Sequence, residues 1–141
     1  MSDARTAVLN FIEDFWRWKA PLADDADLFD VLGIEGDDAG EFMDAFVARF
    51  DVEAGNYRWY FHHGEEGWSI GALFYKPIHR RFGRMPITVA VLTEAVRTKR
   101  WPIAYPDHIL PARRWDILIN QFFAAGAVIG LGVWAWMRFT G

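Results

Sequence analysis

A run of 21 uncharged residues near the C-terminus constrains this chain more than any other feature. Residues 117–137, ILINQFFAAGAVIGLGVWAWM, carry no charge, and only Asn120 and Gln121 are polar. A helix of about 20 predominantly apolar residues crosses the hydrocarbon core of a bilayer, and this run has that length. Trp115 stands at one end and Trp134 and Trp136 at the other, where an aromatic belt would place them. The competing reading is the buried helix of a water-soluble domain. Gly126, Gly130 and Gly132 oppose it, since each costs up to about 1 kcal/mol against Ala inside a helix. A small domain could also hardly surround a helix that is apolar on every face. The sequence therefore predicts one transmembrane helix over 117–137. Gly126 and Gly130 form a small-xxx-small pair that would let another membrane helix approach.

The N-terminal stretch MSDARTAVLNFIEDFW has early acids and no long apolar core, so it does not read as a signal peptide. Arg113 and Arg114 precede the apolar run and Arg138 follows it. That excess of positive charge places the preceding domain on the cytoplasmic side. With no Cys in the chain, disulfides, thiolate metal sites and Cys nucleophiles are excluded. Residues 1–56 hold 14 acids and 4 bases, and residues 57–141 hold 5 acids and 11 bases. The split suggests an acidic face from the first half and a basic face from the second.

Helical periodicity dominates the part before the apolar run. Val8, Leu9, Ile12, Phe15 and Trp16 line one face of a helix over 4–19, with Pro21 near its end. Residues 22–36 read as a long acidic loop anchored by Leu28, Phe29, Leu32 and Ile34. Phe42, Met43, Phe46, Val47 and Phe50 define a second helix over 37–50, whose first turn holds Asp37, Asp38 and Glu41. The helix dipole alone favours acids there. Residues 51–86 show no clear period; a short helix around Ile70–Tyr75 or a pair of short strands would fit. Residues 88–99 read as a helix capped by Thr88, with Val89, Leu92 and Val96 inward. Pro102, Pro106 and Pro111 mark residues 102–116 as a linker. The expected fold class is all-α: a small helical bundle over 1–101 with an enlarged middle segment, the linker, and the C-terminal transmembrane helix.

The stretch LGIEGDDAGEFMDAFVARFDV, residues 32–52, resembles the signature of acyl carrier proteins. In that family an LG-x-D-S-L-D turn opens an acidic helix. Leu32 and Gly33 fall on the LG, Glu35 on the Asp, Gly36 on the Ser, Asp37 on the Leu and Asp38 on the second Asp. Glu41 falls on the recognition-helix Glu, and Phe50-Asp51 on the helix end. ITVAVLTEAV at 87–96 is similar to the family's last helix, so the likeness runs over about residues 4–101. The chain also looks like a bacterial group of acyl-carrier-like domains of unassigned function that share the LGI-x-GDDA turn and a closing RW, here Arg100-Trp101. Carriers attach phosphopantetheine through the serine hydroxyl. Gly36 has no side chain, so no such attachment is expected, and no other cofactor is implied. What the resemblance leaves is docking: Asp37, Asp38, Glu41 and Asp44 would meet a basic surface of a protein partner.

Other chemistry is weaker. Gly67-Trp68-Ser69-Ile70-Gly71 matches G-x-S-x-G, but a nucleophile elbow needs a strand before the Ser and a large α/β sheet beneath it. His62, His63, Glu65 and Glu66 could ligate a metal on paper, yet adjacent histidines diverge and no spaced H-x-x-x-H occurs; a solvent-facing polar loop is expected and no metal. The cluster His79-Arg80-Arg81-x-x-Arg84 could bind lipid headgroups, pair with the acidic first half, or contact nucleic acid. Net charge is −4 and no reader motif occurs, which disfavours nucleic acid. Tyr57, Trp59, Tyr60, Phe61, Trp68, Phe74 and Tyr75 read as core rather than a ligand box, though they are dense enough to line a partner groove.

The sequence thus points to a non-enzymatic, acyl-carrier-like accessory protein of the bacterial cytoplasmic (inner) membrane, its domain facing the cytoplasm. Membrane lipid and other transmembrane helices join the protein partner as expected contacts. A protein that holds an acyl chain or lipid non-covalently is the alternative, and a small hydrolase using Ser69 a third.

Overall fold

The structure, a computed structural model, describes residues 2–140. Six α-helices follow in order: α1 (Ser2–Trp16), α2 (Leu28–Leu32), α3 (Gly36–Phe50), α4 (Gly71–Phe74), α5 (Val89–Thr98) and α6 (Trp115–Thr140). Two 3-10 turns, Trp59–Phe61 and Ile78–Arg80, lie between α3 and α5. The described residues contain no strand, so the fold is all-α. One isolated parallel bridge joins Glu53 to Arg100.

The apolar stripes read from the sequence form the core. Val8 and Ile12 of α1, Leu28 and Phe29 of α2, Phe42, Met43 and Phe46 of α3, and Val89, Leu92 and Ala95 of α5 are buried together with Ile34, Ile87 and Trp101. Aromatic rings interlock α1 and α3. Phe11 lies 5.4 Å from Phe42, 5.9 Å from Phe46 and 5.6 Å from Phe50, centroid to centroid. Pairs in such tilted and edge-on geometry add about 0.5–1.5 kcal/mol each beyond their buried area.

Helix ends follow local chemistry. The Thr88 hydroxyl accepts from the Val91 amide at 3.1 Å and opens α5 as expected. α1 stops at Trp16, three residues short of expectation, because Arg17 turns left-handed at φ 56°. The stretch 22–36 is not all loop. The Asp27 carboxylate caps the Phe29 amide at 3.1 Å and Gly33 closes α2 at φ 65°, so a five-residue helix carries Leu28 and Phe29 into the core. In the middle segment, α4 lies inside the expected short helix near 70–75, and no strand pair forms.

Residues 101–108 run extended against residues 57–62 and are held there by two tyrosine–histidine bonds. The Tyr105 hydroxyl accepts from the Arg58 amide at 3.2 Å and from Trp101 Nε1 at 2.8 Å. Its own proton therefore goes to His62 Nε2, 2.7 Å away. His62 Nδ1–H then donates to the Met85 carbonyl at 2.7 Å. The Tyr60 hydroxyl similarly meets His108 Nε2 at 2.7 Å, while His108 Nδ1 meets the Pro106 carbonyl at 2.8 Å. The expected solvent-facing loop at 62–66 forms only in part: Glu65 and Glu66 are exposed, but His62 and His63 are buried. The bonds that satisfy His62 require the neutral ring.

Burial lowers the His62 pKa from 6.5 to about 4. Between those values the unfolded chain binds a proton that the folded chain refuses. Stability is therefore complete above about pH 6.5 and falls as the pH drops toward 4, by up to about 1.4 kcal/mol per pH unit for one such site. Urea unfolding of the full chain in detergent between pH 4 and 7 should show that slope, and His62→Gln should flatten it. An unchanged slope in the variant would assign the acid sensitivity to other groups.

Candidate functional site

The helix that the sequence marks as acidic presents its acids to solvent. Asp37, Asp38, Glu41 and Asp44 occupy positions i, i+1, i+4 and i+7 of α3 and are all exposed, while Ala39, Phe42, Met43 and Phe46 turn inward. None of the four pairs with a basic side chain among the described residues. Acids of the neighbouring loop behave differently. Asp24 meets Arg5 at 2.8 Å. Arg84 reaches Asp27 at 2.9 Å, Glu35 at 3.5 Å and Asp30 at 3.9 Å. Part of the basic cluster at 79–84 therefore neutralises the acidic first half, and the α3 acids remain a separate anionic stripe.

The start of α3 is closed by the middle segment. Gly36, the position that the carrier likeness assigns to the modified serine, has φ 53°. Its amide donates to the Gly64 carbonyl at 3.1 Å, and the Gly64 amide donates to the Glu35 carboxylate at 2.5 Å. A Cβ on Gly36 would overlap the Glu66 side chain. A serine would thus meet a steric block as well as the left-handed backbone, which costs a non-glycine residue roughly 1–2 kcal/mol.

A cavity of about 710 Å³ opens beside this turn, between α3, the 63–80 segment and the first turns of α6. Its lining mixes Glu65, Glu66, Arg80 and Arg114 with Trp59, Trp68 and Leu73. His63 and His79 face it as well. Nε2 of His63 and Nδ1 of His79 are buried there without a hydrogen bond. Burial also lowers the His79 pKa, against the opposing pull of Glu65, whose carboxylate lies 3.9 Å away. The described residues contain no group of three His, Asp or Glu side chains placed to hold a metal ion.

The base of α6 is fastened to that same segment. Arg114 forks onto Glu65 at 2.6 and 3.0 Å and onto buried Asp116 at 2.7 and 3.0 Å. One turn further along α6, Asn120 Oδ1 accepts from the Gly71 amide at 2.7 Å, and Asn120 Nδ2 donates to the Ser69 hydroxyl at 3.0 Å. Ser69 also accepts from the Ala72 amide at 3.1 Å, opening α4. Ser69 thus sits where its hydroxyl completes a helix start and an interhelical contact, and no strand precedes it. Gly71 is buried because α4 lies directly on the Asp116 backbone; a Cβ there would overlap the Asp116 carbonyl. The sequence reading missed Arg114, Gly71 and Asn120 as a unit, although the polar pair Asn120-Gln121 inside an apolar run was the available signal.

Beyond this base the apolar part of α6 is unburied. Gly126 and Gly130 are exposed with open space around them. The expectation that the middle aromatics are core holds for Tyr60 and Phe61, which are buried, but fails for Trp68 and Phe74. Both are exposed, on the segment that packs against the first turns of α6.

Gly71→Ala should loosen α4 from α6 and cost roughly 1–3 kcal/mol, as overpacking of a close contact does. Hydrogen exchange of the full chain in detergent should show faster exchange at amides 71–75, with the α1–α3–α5 core unchanged. Wild-type protection in the variant would contradict the packing described.

No curated protein and no solved structure shows significant similarity to the chain. A family described as Protein of unknown function (DUF1493) matches residues 5–103, from the first turns of α1 to just beyond Trp101, and leaves α6 outside the match. The chain belongs to that family.

Proposed function

We propose that this protein is a membrane-anchored, non-enzymatic docking module, acyl-carrier-like without a prosthetic group and working as a small accessory subunit of a larger membrane complex. α6 crosses the bacterial inner membrane and holds the helical domain on its cytoplasmic side. The anionic stripe of α3 then meets a basic surface on a protein partner, and Gly126 and Gly130 offer a close-packing face to a partner helix.

One observation carries this reading: Asp37, Asp38, Glu41 and Asp44 form an exposed stripe on one helix, and none of them makes an ion pair with a basic side chain among the described residues. Complementary charge across an interface speeds encounter and selects the partner. The likeness of residues 32–52 to the carrier turn and helix supports the same face. The closed backbone at Gly36 fits a module that docks without carrying a thioester.

Charge reversal tests it. Full-length protein recovered from its own membranes in mild detergent should bring a partner at fixed ratio. Asp38→Lys with Glu41→Lys should reduce that recovery at least tenfold while leaving stability within about 1 kcal/mol, as expected for exposed positions near a helix start. Equal recovery by the variant, or a wild-type protein that comes out alone, would refute the proposal.

The cavity at the base of α6 favours a second, narrower reading, in which the protein holds a lipid non-covalently. Its lining of acids, arginines and histidines suits a polar headgroup better than an acyl chain. Native mass spectrometry of the full chain released from native membranes should then show bound phospholipid, reduced by Arg80→Glu. Repeated absence of lipid would dispose of it.

A further inference from the structure

We propose that α4 and the residues beside it, Trp68 to Phe74, lie in the headgroup layer of the membrane as an interfacial element, with Lys76 and Arg80 set against anionic headgroups. This rests on the reading of α6 as a membrane span and adds a second point of contact.

The depth follows from hydrogen bonds to α6. The uncharged run starts at Ile117, and Asn120 lies three residues further, about 4.5 Å along a helix. Asn120 holds the Gly71 amide at 2.7 Å and the Ser69 hydroxyl at 3.0 Å. α4 is therefore level with the first turn of the span. The headgroup region of one leaflet is only about 5–7 Å thick, from total and hydrocarbon thicknesses of about 40–45 and 30 Å. Gly71 also touches the backbone of Asp116, which precedes the run, so the segment straddles the boundary between headgroups and hydrocarbon, the interface.

The side chains on this segment fit that place. Trp68 is 85% exposed, Leu73 78% and Phe74 68%. In water this cluster would be an unexplained apolar surface. At the bilayer boundary it buries apolar area, and Trp belongs to the residues that favour that layer. Trp115, half-exposed, adjoins Asp116, whose backbone Gly71 touches. The backbone is also prepared for a dry setting. The amides of Gly71, Ala72, Leu73 and Tyr75 donate to Asn120, Ser69, Ile70 and Gly71 respectively, which membrane depth requires of any short non-spanning segment. Lys76 and Arg80 are exposed just after α4 and pair with no carboxylate among the described residues. Arg80 lines the cavity that also touches Trp68, Leu73 and Ile117. Cations at this level are drawn to anionic headgroups.

The absence of Cys makes a direct test possible. Single-cysteine variants Leu73→Cys, Phe74→Cys, Val128→Cys and Glu41→Cys of the full chain carry a nitroxide label in bilayers of mixed neutral and anionic phospholipid. All four positions are exposed, so the fold tolerates the label. Collision with oxygen and with a water-soluble nickel complex reports depth. Labels at 73 and 74 should lie within about 5 Å of the phosphate level, with 128 deep and 41 aqueous. Adding Lys76→Glu and Arg80→Glu should move 73 and 74 toward water. Labels at 73 and 74 as aqueous as 41, with 128 deep, would overturn the interfacial element and leave the span standing. An aqueous 128 would overturn the span itself. Depths at 73 and 74 that ignore the charge reversals would overturn the role of the cations.

Discussion

The guanidinium of Arg114 joins two regions that lie 49 residues apart in the chain. Its fork meets Glu65 on the middle segment and Asp116 at the start of α6, and every one of those contacts is a charge-assisted hydrogen bond. Planar two-pronged pairing of this kind fixes direction as well as distance. A lysine could match the charge but not the geometry. Because Glu65 adjoins Glu66 and Gly64, which close over Gly36, the same fork sets the position of α6, the wall of the cavity and the lid on the start of α3. Gly71 and Asn120 repeat the join one turn further along α6. The long helix is therefore seated on the domain at two levels, which gives the domain a defined orientation to the axis of α6.

A second set of bonds makes that seat possible. Trp101, Tyr105 and His108 form an extended arm between the core and Arg114. Proline at 102 and 106 removes two amide donors from it, so side chains do the holding. Tyr105 receives two N–H groups and gives its proton to His62, and Tyr60 reaches His108. Three rings pack against these groups: Tyr57 is stacked on His62, and Phe61 and Phe82 meet His108 edge-on. Fully satisfied polar networks of this kind are rigid and tolerate little change. The arm, bare of secondary structure, is for that reason fixed against the domain.

Charge is distributed in the same logic. Arg84 gathers Asp27, Asp30 and Glu35 and stabilises the turn into α3, so the basic cluster is divided between an internal clasp and an outward part. The stripe from Asp37 to Asp44 receives no such clasp. An anionic helix face at one place and unpaired cations beside the base of α6 at another give the domain two surfaces of opposite sign.

The sequence by itself determined the helical elements, because their causes are local. Phe42, Met43 and Phe46 repeat at the helical period, Thr88 caps its own helix, and the uncharged run is long whatever surrounds it. It also determined that position 36 carries no attachment point, since that follows from glycine alone. Even α2 was locally encoded by Asp27 and Gly33, but a five-residue helix leaves too short a period to stand out. The tertiary structure alone decided the rest. Nothing local distinguishes His62, buried in a bonded network, from a loop histidine, or Trp68 at the surface from Tyr60 in the core. Those outcomes depend on Tyr105 and Asn120, which approach from 43 and 51 residues away. The α3 acids lie where the helix pattern put them, but only the folded chain showed that Arg84 is engaged elsewhere and leaves them unpaired. Periodicity acts over one turn of helix, whereas pairing, burial and depth depend on which distant groups the fold brings within hydrogen-bond reach.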